Sequence, residues 1–540
     1  MADTAHLRKR LSALESERST VEEAWAVIEK YVTPYRGEFN NTISSEGSVD
    51  WSKRELYDST AVAAHQLLAS SLHGAVTSPS IRWFDLRFRS EQLNKNKEAV
   101  GWLQEVASTI FFELQDSNFN LEINENYQDL SGLGTSAIVL EEGGTGSASQ
   151  WGGLNFSAIP LKEVFFEEDA YGRVGRFYRK LQWTAAQILS KFGEDVPEKI
   201  KEADQAATGE RFTVVYAIVP TGNKMAALGQ TQTAKKRAFE ACYFLFDCGT
   251  QLGESLYYYE MPAYVSRWRK SSGSQWGNSP AMTCMGDILS LNHARKLQLI
   301  ASEKMIDPPI FAEERAILTD LDLSSGALSV VRDVDRIRPF GTQGNIAISD
   351  VVIQQLQESV KDVFFANQLQ FPPTQGTPMS ATEAQIRYEQ LQKLLGPTLG
   401  RLQNDLLDPI VERAFRMLAR KNQLPPVPDI VAETNPAFDV QYMGSLSRAQ
   451  RVDNAASIER WVTLAANLSG VIPGILDVID EEAVARQIGQ DLNVPANVYR
   501  SAEEVAAIRE QREKMQQQAQ QAEVAKMQGE AAQAQNEAEM

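Results

Sequence analysis

One apolar stripe in the second half of the chain constrains the fold more than any other feature. Ile386, Tyr388, Leu391, Leu395, Leu399, Leu402, Leu406, Ile410, Val411, Phe415 and Leu418 recur at helical spacing and predict a single long helix over 381–422. Ser380 and Glu383 form the S-x-x-E box that starts it. Gly396-Pro397 falls in its middle and predicts a kink, because proline removes a backbone hydrogen bond and clashes with the preceding turn. Pro409 predicts a second bend. In front of the helix lies an uncharged stretch, Phe371, Pro372, Pro373, Thr374, Gln375, Gly376 and Thr377. Its prolines restrict the backbone, and Gly376 permits one sharp turn.

The 540 residues suffice for roughly three or four domain-sized units. With 43% apolar and 23% charged residues the chain can build a sizeable core. The 71 acidic and 53 basic side chains give a formal charge of −18. That excludes a chain that grips nucleic acid over most of its surface, since such binding rests on many Lys and Arg contacts to phosphate. It does not exclude a protein that lets DNA pass. Cys242, Cys248 and Cys284 contain no C-x-x-C, so neither a disulfide framework nor a zinc site is expected, and a reducing compartment is the default. His6, His65, His73 and His293 read as solvent-facing or hydrogen-bonded structural histidines. The N-terminal residues carry no apolar core of a secretory signal. The most apolar stretch, 461–479, is interrupted by Asn467, Ser469, Gly470, Pro473 and Gly474, and reads as two short buried helices instead of a membrane span.

The rest of the chain divides by pattern. Residues 5–32 carry a helical stripe of Leu7, Leu11, Leu14, Val21, Trp25, Ile28 and Tyr31, with a gap at Arg18. A second helix is expected over 59–76. The strand "RWFDLRFR" follows, with Phe84, Leu86 and Phe88 on one face. Helices over 95–116 and to about 131 lead through "SGLG" into the strand "TSAIVLEE". From 150 to 270 short strands dominate, interrupted by one helix with Thr184 as N-cap. A hairpin turn is expected at Ala170-Tyr171-Gly172, and an exposed loop over 221–237. Ser279 caps the next helix and Pro280 opens it. A small insert over 308–347 has strand candidates "PPIFAE" and "ALSVVRDV". A helix follows it and runs to the uncharged loop. Residues 423–450 are Pro-rich and connecting, helices resume over about 447–512, and 513–540 cannot bury a core face. The fold class is α+β.

Searches for chemistry return nothing. No G-x-x-x-x-G-K-[ST], H-E-x-x-H or G-x-S-x-G is present. The "GLGTSA" of 132–137 mimics a dinucleotide loop but follows a helix and precedes a strand, the reverse of the required order. Glu141-Glu142 and Glu167-Glu168 are adjacent in strands and point to opposite faces, so neither pair is placed to share a metal ion; they read as solvated faces. The basic clusters are Arg82, Arg87 and Arg89; Lys235, Lys236 and Arg237; Arg267, Arg269 and Lys270; and Arg332, Arg336 and Arg338. "YVSRWRK" could stack on bases, but a strand with a solvated face is the better reading. No catalytic residue, cofactor or metal is expected.

The order of elements, however, resembles the portal proteins of tailed phages, and more closely the head-to-tail connecting proteins of short-tailed phages. The segments that carry it are "IEKYVTPYRGEF", "AAHQLLASSLHGAVTSPSIRWFDLRF", "QDLSGLGTSAIVLEE", "WGNSPAMTCMGDILSLNHARKLQL" and "MSATEAQIRYEQLQKLLGPTLGRLQNDLLDPIVER". The resemblance spans about 5–500.

It implies a portal fold with a mixed α/β wing, a two-helix stem, a small α/β clip, a long kinked helix and a helical C-terminal crown. By that pattern 1–279 is mainly wing, 280–305 and 349–368 are stem helices, and 306–348 is the clip. Residues 369–379 are the tunnel loop, 380–424 the long wing helix, 425–512 the crown, and 513–540 a polar tail. The family's working form is a homo-oligomeric ring, usually a dodecamer, at a unique capsid vertex of the virion, assembled in the host bacterial cytoplasm. Double-stranded DNA passes through it in packaging and ejection. The implied partners are the terminase large subunit, a tail adaptor protein, and the major capsid and scaffolding proteins, with no membrane. Arg295, Lys296 and Lys304 are candidate DNA-backbone contacts in the stem, weighed against salt bridges between subunits. Arg332, Arg336 and Arg338 are candidate contacts to acidic partners in the clip, weighed evenly against plain surface charge. Some relatives carry arginines in the tunnel loop; here 371–379 has none, so a steric constriction is expected instead of a phosphate clamp. Two rival readings are an internal virion or scaffolding protein without a ring, and an unrecognised metal-dependent nuclease.

Overall fold

The computed structural model describes residues 3–35, 55–79, 82–144, 151–207, 209–223, 233–306, 310–312, 337–339, 346–369, 395–434, 438–442 and 445–468, with a few isolated positions beyond. The chain forms two compact units, one from Met1–Arg82 with Ile110–Gln423, the other from Trp83–Thr109 with Leu424–Met540.

The larger unit begins with helix α1 (Thr4–Tyr31). Asp3 caps it, its carboxylate accepting from the amides of Ala5 and His6 at 3.1 and 3.3 Å. Leu7, Leu11 and Leu14 are buried on a sheet that comes much later in the chain. The gap in the stripe is filled from the same face. Arg18 is buried and donates through NH1 to the carbonyls of Leu161, Lys162 and Val164, lies 3.8 Å from the Phe165 ring centroid, and is held by Glu22. An arginine thus occupies a core position by satisfying backbone acceptors that would otherwise be stranded.

Helix α2 (Thr60–Val76) buries Val62, Leu68 and Leu72. In the second unit, strand β1 (Phe84–Phe88) buries Phe84, Leu86 and Phe88, as its alternation predicts. Asn94 of helix α3 (Glu91–Lys95) braces the end of β1, donating to the Phe88 carbonyl at 2.8 Å and accepting from its amide at 3.2 Å. Helix α4 (Lys97–Asp116) follows, and its Trp102 indole donates to the Pro425 carbonyl at 3.2 Å.

Back in the larger unit, helix α5 (Phe119–Leu133) ends at Gly134, which adopts the left-handed conformation at φ +82°. The chain turns there into β2 (Thr135–Glu142), the central strand of an antiparallel three-stranded sheet flanked by β3 (Leu154–Ile159) and a later strand. A five-stranded antiparallel meander follows: β4 (Val164–Glu168), β5 (Val174–Thr184), β6 (Arg211–Pro220), β7 (Phe239–Leu245) and β8 (Gln251–Tyr258), each pairing with the next. One face carries Phe165, Tyr178, Val215, Ala217 and Phe244 toward α1. The other packs Leu181, Val214, Leu245 and Leu252 against two helices, α6 (Ala185–Phe192) and α7 (Glu198–Gln205). The predicted cap of α6 is present as a full capping box of Thr184 and Gln187. Helix α7 is absent from the sequence reading, which expects one helix among these strands. It buries only Ile200 and Ala203, too few anchors to give a periodic signal.

Strand β9 (Ala263–Arg267) completes the three-stranded sheet beside β2. Every residue of it is buried, which corrects the reading of "YVSRWRK" as a strand with a solvated face. Helices α8 (Pro280–Thr283) and α9 (Met285–Ile306) follow, with Ser279 capping through its bond from the Met282 amide at 3.0 Å. In the insert, β10 (Ile310–Ala312) pairs antiparallel with β11 (Ile337–Pro339), a strand beyond the expected "ALSVVRDV", which lies outside the described residues. Helices α10 (Ile346–Val363) and α11 (Ala366–Leu369) come next.

The long helix is described from 395. Residues 395–402 (α12) pass into a π-helical turn, Gln403–Leu407, and on into α13 (Asp408–Arg420). The π turn lies just before Pro409, which opens the first turn of α13 and has no backbone N–H to donate. Gly396 and Pro397 lie within α12, but the turn that would carry their kink is outside the described residues. In the second unit, the supposed connector 423–450 contains α14 (Asp429–Thr434) and β12 (Phe438–Tyr442). Strand β12 is the antiparallel partner of β1, and Tyr442 stacks on Trp83 at 6.2 Å. Helix α15 (Ser445–Leu468) takes in the start of the apolar 461–479 stretch, with Trp461 and Leu464 exposed. No helix among the described residues is long and apolar enough to cross a membrane.

Candidate functional site

Two features of the larger unit stand out, a helix pair that leaves apolar surface uncovered and a long helix bound to the sheet by buried charge. The pair is α9 and α10. Its root is pinned to the extended segment 55–59. Asn292 uses both ends of its amide there, donating to the Glu55 carbonyl at 3.0 Å and accepting from the Tyr57 amide at 2.7 Å. Gln357 donates to Asp58 at 2.7 Å, and Ser359 donates to Asp287 at 2.7 Å. Gln298 donates to Asp350 further along, so the helices run antiparallel. Burial within α9 is confined to Ile288, Leu291 and Asn292. Beyond them Leu297, Leu299, Met305 and Ile306 are exposed, Ile306 at 85%, as are Val351 and Val352 of α10. Leu299 and Ile306, seven residues apart, share one face of α9, and this many exposed apolar side chains on one helix pair is unusual on a free surface.

The candidate DNA-contact residues lie on α9. Arg295 donates to Gln298 at 2.6 Å. Lys296 lies 3.9 Å from Glu55 and 5.4 Å from the Tyr57 ring centroid, so its charge is partly engaged within the chain. Lys304 is exposed and has no ion-pair partner among the described residues. Arg338 lies in β11, whereas Arg332 and Arg336 fall outside the described residues. So do Phe371, Pro372, Pro373, Thr374, Gln375, Gly376 and Thr377, and the cap residues Ser380 and Glu383.

The second feature was not singled out from the sequence. Asp405, Arg413 and Arg420 are spaced about two helical turns apart along the π turn and α13. Asp405 accepts from Arg267 at 3.2 Å. Arg413, 4% exposed, donates to the carbonyls of Leu140 and Glu260 at 3.2 and 3.0 Å and to the Glu260 carboxylate at 3.4 Å. Arg420 makes a two-pronged pair with the same carboxylate at 2.6 and 3.0 Å. Lys421 pairs with Glu142 at 2.6 Å, and the Tyr264 hydroxyl donates to the Pro409 carbonyl at 3.2 Å. Strands β2 and β9 are thereby both tied to one helix face. The available signal was Arg413 itself, a charge set among Ile410, Val411 and Ala414 in the apolar stripe.

Of the acidic pairs Glu142 is exposed, as read, while Glu141, Glu167 and Glu168 are half-buried and engaged. Glu141 accepts from the Tyr258 and Tyr216 hydroxyls at 2.6 and 3.2 Å. Burial raises the pKa of both tyrosines, which keeps them protonated donors. Glu167 accepts from Arg10 at 2.7 and 2.5 Å and from Arg176 at 2.9 Å. Its burial favours the neutral form, but the bonds and charges of the two arginines together outweigh that and lower its pKa. Glu168 is shared by Arg267 and Lys270. No cluster of metal-binding side chains occurs among the described residues. His65 is a hydrogen-bonded structural histidine as read, its Nε2 2.8 Å from the Gln128 carbonyl.

Residues 4–499 match the family described as "Bacteriophage head to tail connecting protein". The chain belongs to that family. The connector family thus covers both features above, the helix pair and the clamped long helix. Two similar proteins are the "Probable portal protein" of Bordetella phage BPP-1 and the "Portal protein" of Salmonella phage epsilon15. The first is 28% identical over 526 residues, covering 95% of this chain and 92% of its own length. The second is 25% identical over 535 residues, covering 96% of this chain and 93% of its own length. The expected α+β connector fold holds across the described residues.

Proposed function

We propose that the chain is a phage portal: a ring of identical subunits, a dodecamer, at one capsid vertex of a short-tailed phage. Double-stranded DNA enters through its channel in packaging and leaves in ejection. The observation that carries this is membership of the head-to-tail connecting family over residues 4–499, together with the exposed apolar side chains of α9 and α10. A second copy of the same chain would cover Leu299 and Ile306 on one face of α9, as stem helices do when they line up around a ring. The high negative charge supports passage of DNA over retention, because an acidic wall repels phosphate.

In this reading 1–279 is mainly wing, α8 to α9 and α10 are stem, and 306–348 is clip. Residues 369–379 form the uncharged tunnel loop, 380–424 the long helix, and 425–512 the crown. Lys304 is the stem cation most available to the DNA backbone, ahead of Arg295 and Lys296, whose side chains have partners within the chain. Arg332, Arg336 and Arg338 of the clip face the terminase large subunit and later the tail adaptor. Major capsid and scaffolding proteins surround the ring during assembly in the host cytoplasm. The chain has no catalytic role.

Sedimentation of stem variants tests the assignment. Leu299→Ser with Ile306→Ser should leave the fold intact by circular dichroism and shift the protein from the ring to small species. If the variant sediments as the parent does, this face of α9 is not the subunit contact.

A further inference from the structure

A second kind of site lies away from the stem. Between the 169–173 hairpin, the end of β9 and helix α12 is an open cleft of about 510 Å³. That volume is in the range of small-molecule sites, about 300–1,000 Å³. Its lining includes Arg267, Lys270, Arg401, Asn404, Asp405 and Tyr171. The carboxylates near it are already committed: Asp405 to Arg267, and Glu168 to Arg267 and Lys270. The donors are in surplus. Arg401 has no partner among the described residues. Arg267 is 4% exposed, yet its Nε is left without a hydrogen bond. That N–H is itself closed off from the cleft, so the free donors facing it are those of Arg401.

The backbone around the cleft also keeps it open. Gly400 faces open space, where a Cβ would meet nothing within 4 Å, although glycine inside a helix costs about 1 kcal/mol relative to alanine. Asn404 bonds back to the Gly400 carbonyl at 3.0 Å and is thereby oriented. Asp169 fixes the hairpin by accepting from the amides of Tyr171 and Arg173, both at 2.9 Å. Tyr171 is left 89% exposed at the tip, beside the cations.

We propose that this cleft is a binding site for a phosphate-class oxyanion. Arg267, oriented by its two carboxylates, forms the floor beside the Lys270–Glu168 pair, while Arg401 supplies the free charge. Planar guanidinium donors match the oxygens of phosphate. Arg267 and Lys270 are balanced by Asp405 and Glu168, so Arg401 leaves one net positive charge at the cleft for an anion. The phosphate comes either from a free anion or from a nucleic-acid backbone. The site does not depend on ring formation, so its test stands apart from that of the portal assignment.

Titration calorimetry of the full chain with inorganic phosphate decides it, with acetate as the carboxylate control. The parent should bind phosphate and not acetate. Arg401→Ala should weaken phosphate binding about tenfold or more with unchanged melting temperature. Gly400→Glu, which places a carboxylate in the cleft on a better helix former, should abolish it. A short DNA duplex that displaces phosphate from the parent identifies a backbone source; a duplex that does not identifies a free anion. Absence of phosphate binding, equal binding of acetate, or equal affinity in both variants would overturn the proposal.

Discussion

Gly134 and Gly277 touch backbone to backbone. A Cβ on Gly134 would lie 2.4 Å from the Gly277 carbonyl oxygen, and one on Gly277 would lie 2.1 Å from that of Gly134. The Gly134 carbonyl accepts from the Trp268 amide at 2.9 Å, and the Gly277 amide donates to the Thr135 hydroxyl at 2.9 Å. The turn out of α5 and the entry to α8 are thus locked together, which sets where the following helix pair starts. Gly277→Ala should cost on the order of 1–3 kcal/mol, the range for forced overpacking. Denaturant unfolding measures it; an unchanged midpoint would mean that the two turns do not meet.

The buried arginine of the long helix leads to a second expectation. Arg413→Ala strands the Leu140 carbonyl and part of the Glu260 carboxylate, so it should destabilise by about 3–5 kcal/mol, the range for breaking a buried pair from one side. Arg420 is more exposed, and Glu260 keeps Arg413 when it is lost, so Arg420→Ala should cost clearly less. Equal losses in the two variants would contradict the clamp as described.

Thiol reactivity separates the three cysteines. Burial, with a smaller contribution from Glu240, pushes the Cys242 thiol up to about 12; burial, with Asp287, does the same to Cys284. Cys248 is exposed. A thiol reagent at neutral pH should label Cys248 fast and the other two only on unfolding. Fast labelling that survives Cys248→Ser would refute this.

Acid should loosen the larger unit in two steps. Burial lowers the pKa of His73 below 6.5, so its neutral form is the native one; the stability it contributes is complete above that value and is lost as pH falls through its folded pKa. Glu167 is held below 4.5 by Arg10 and Arg176 against its burial, so its contribution persists at higher pH and is lost only as pH falls through its own, lower folded pKa. Melting temperature against pH should therefore decline first below about 6.5. His73→Phe should flatten that first step and leave the second.

Much of this fold could be read in advance. The α1 stripe, the alternation of β1, the caps at Thr184 and Ser279, and the apolar run of α13 all rest on local periodicity or local hydrogen bonds. The charge network could not be read that way. Arg267 meets Glu168 and Asp405, and Arg413 meets Glu260, across separations that no local pattern encodes. The same holds for β12, whose partner β1 comes near the start of the chain. Arg18 and Arg413 did leave a trace, each a charge inside an apolar stripe, and each turned out to be buried against carbonyls.

Electron microscopy of the purified chain tests the central claim most directly. The portal assignment predicts closed rings of uniform size, dodecamers by subunit count, with an axial hole wide enough for a DNA duplex. Monomers, or particles without a central channel, would contradict it.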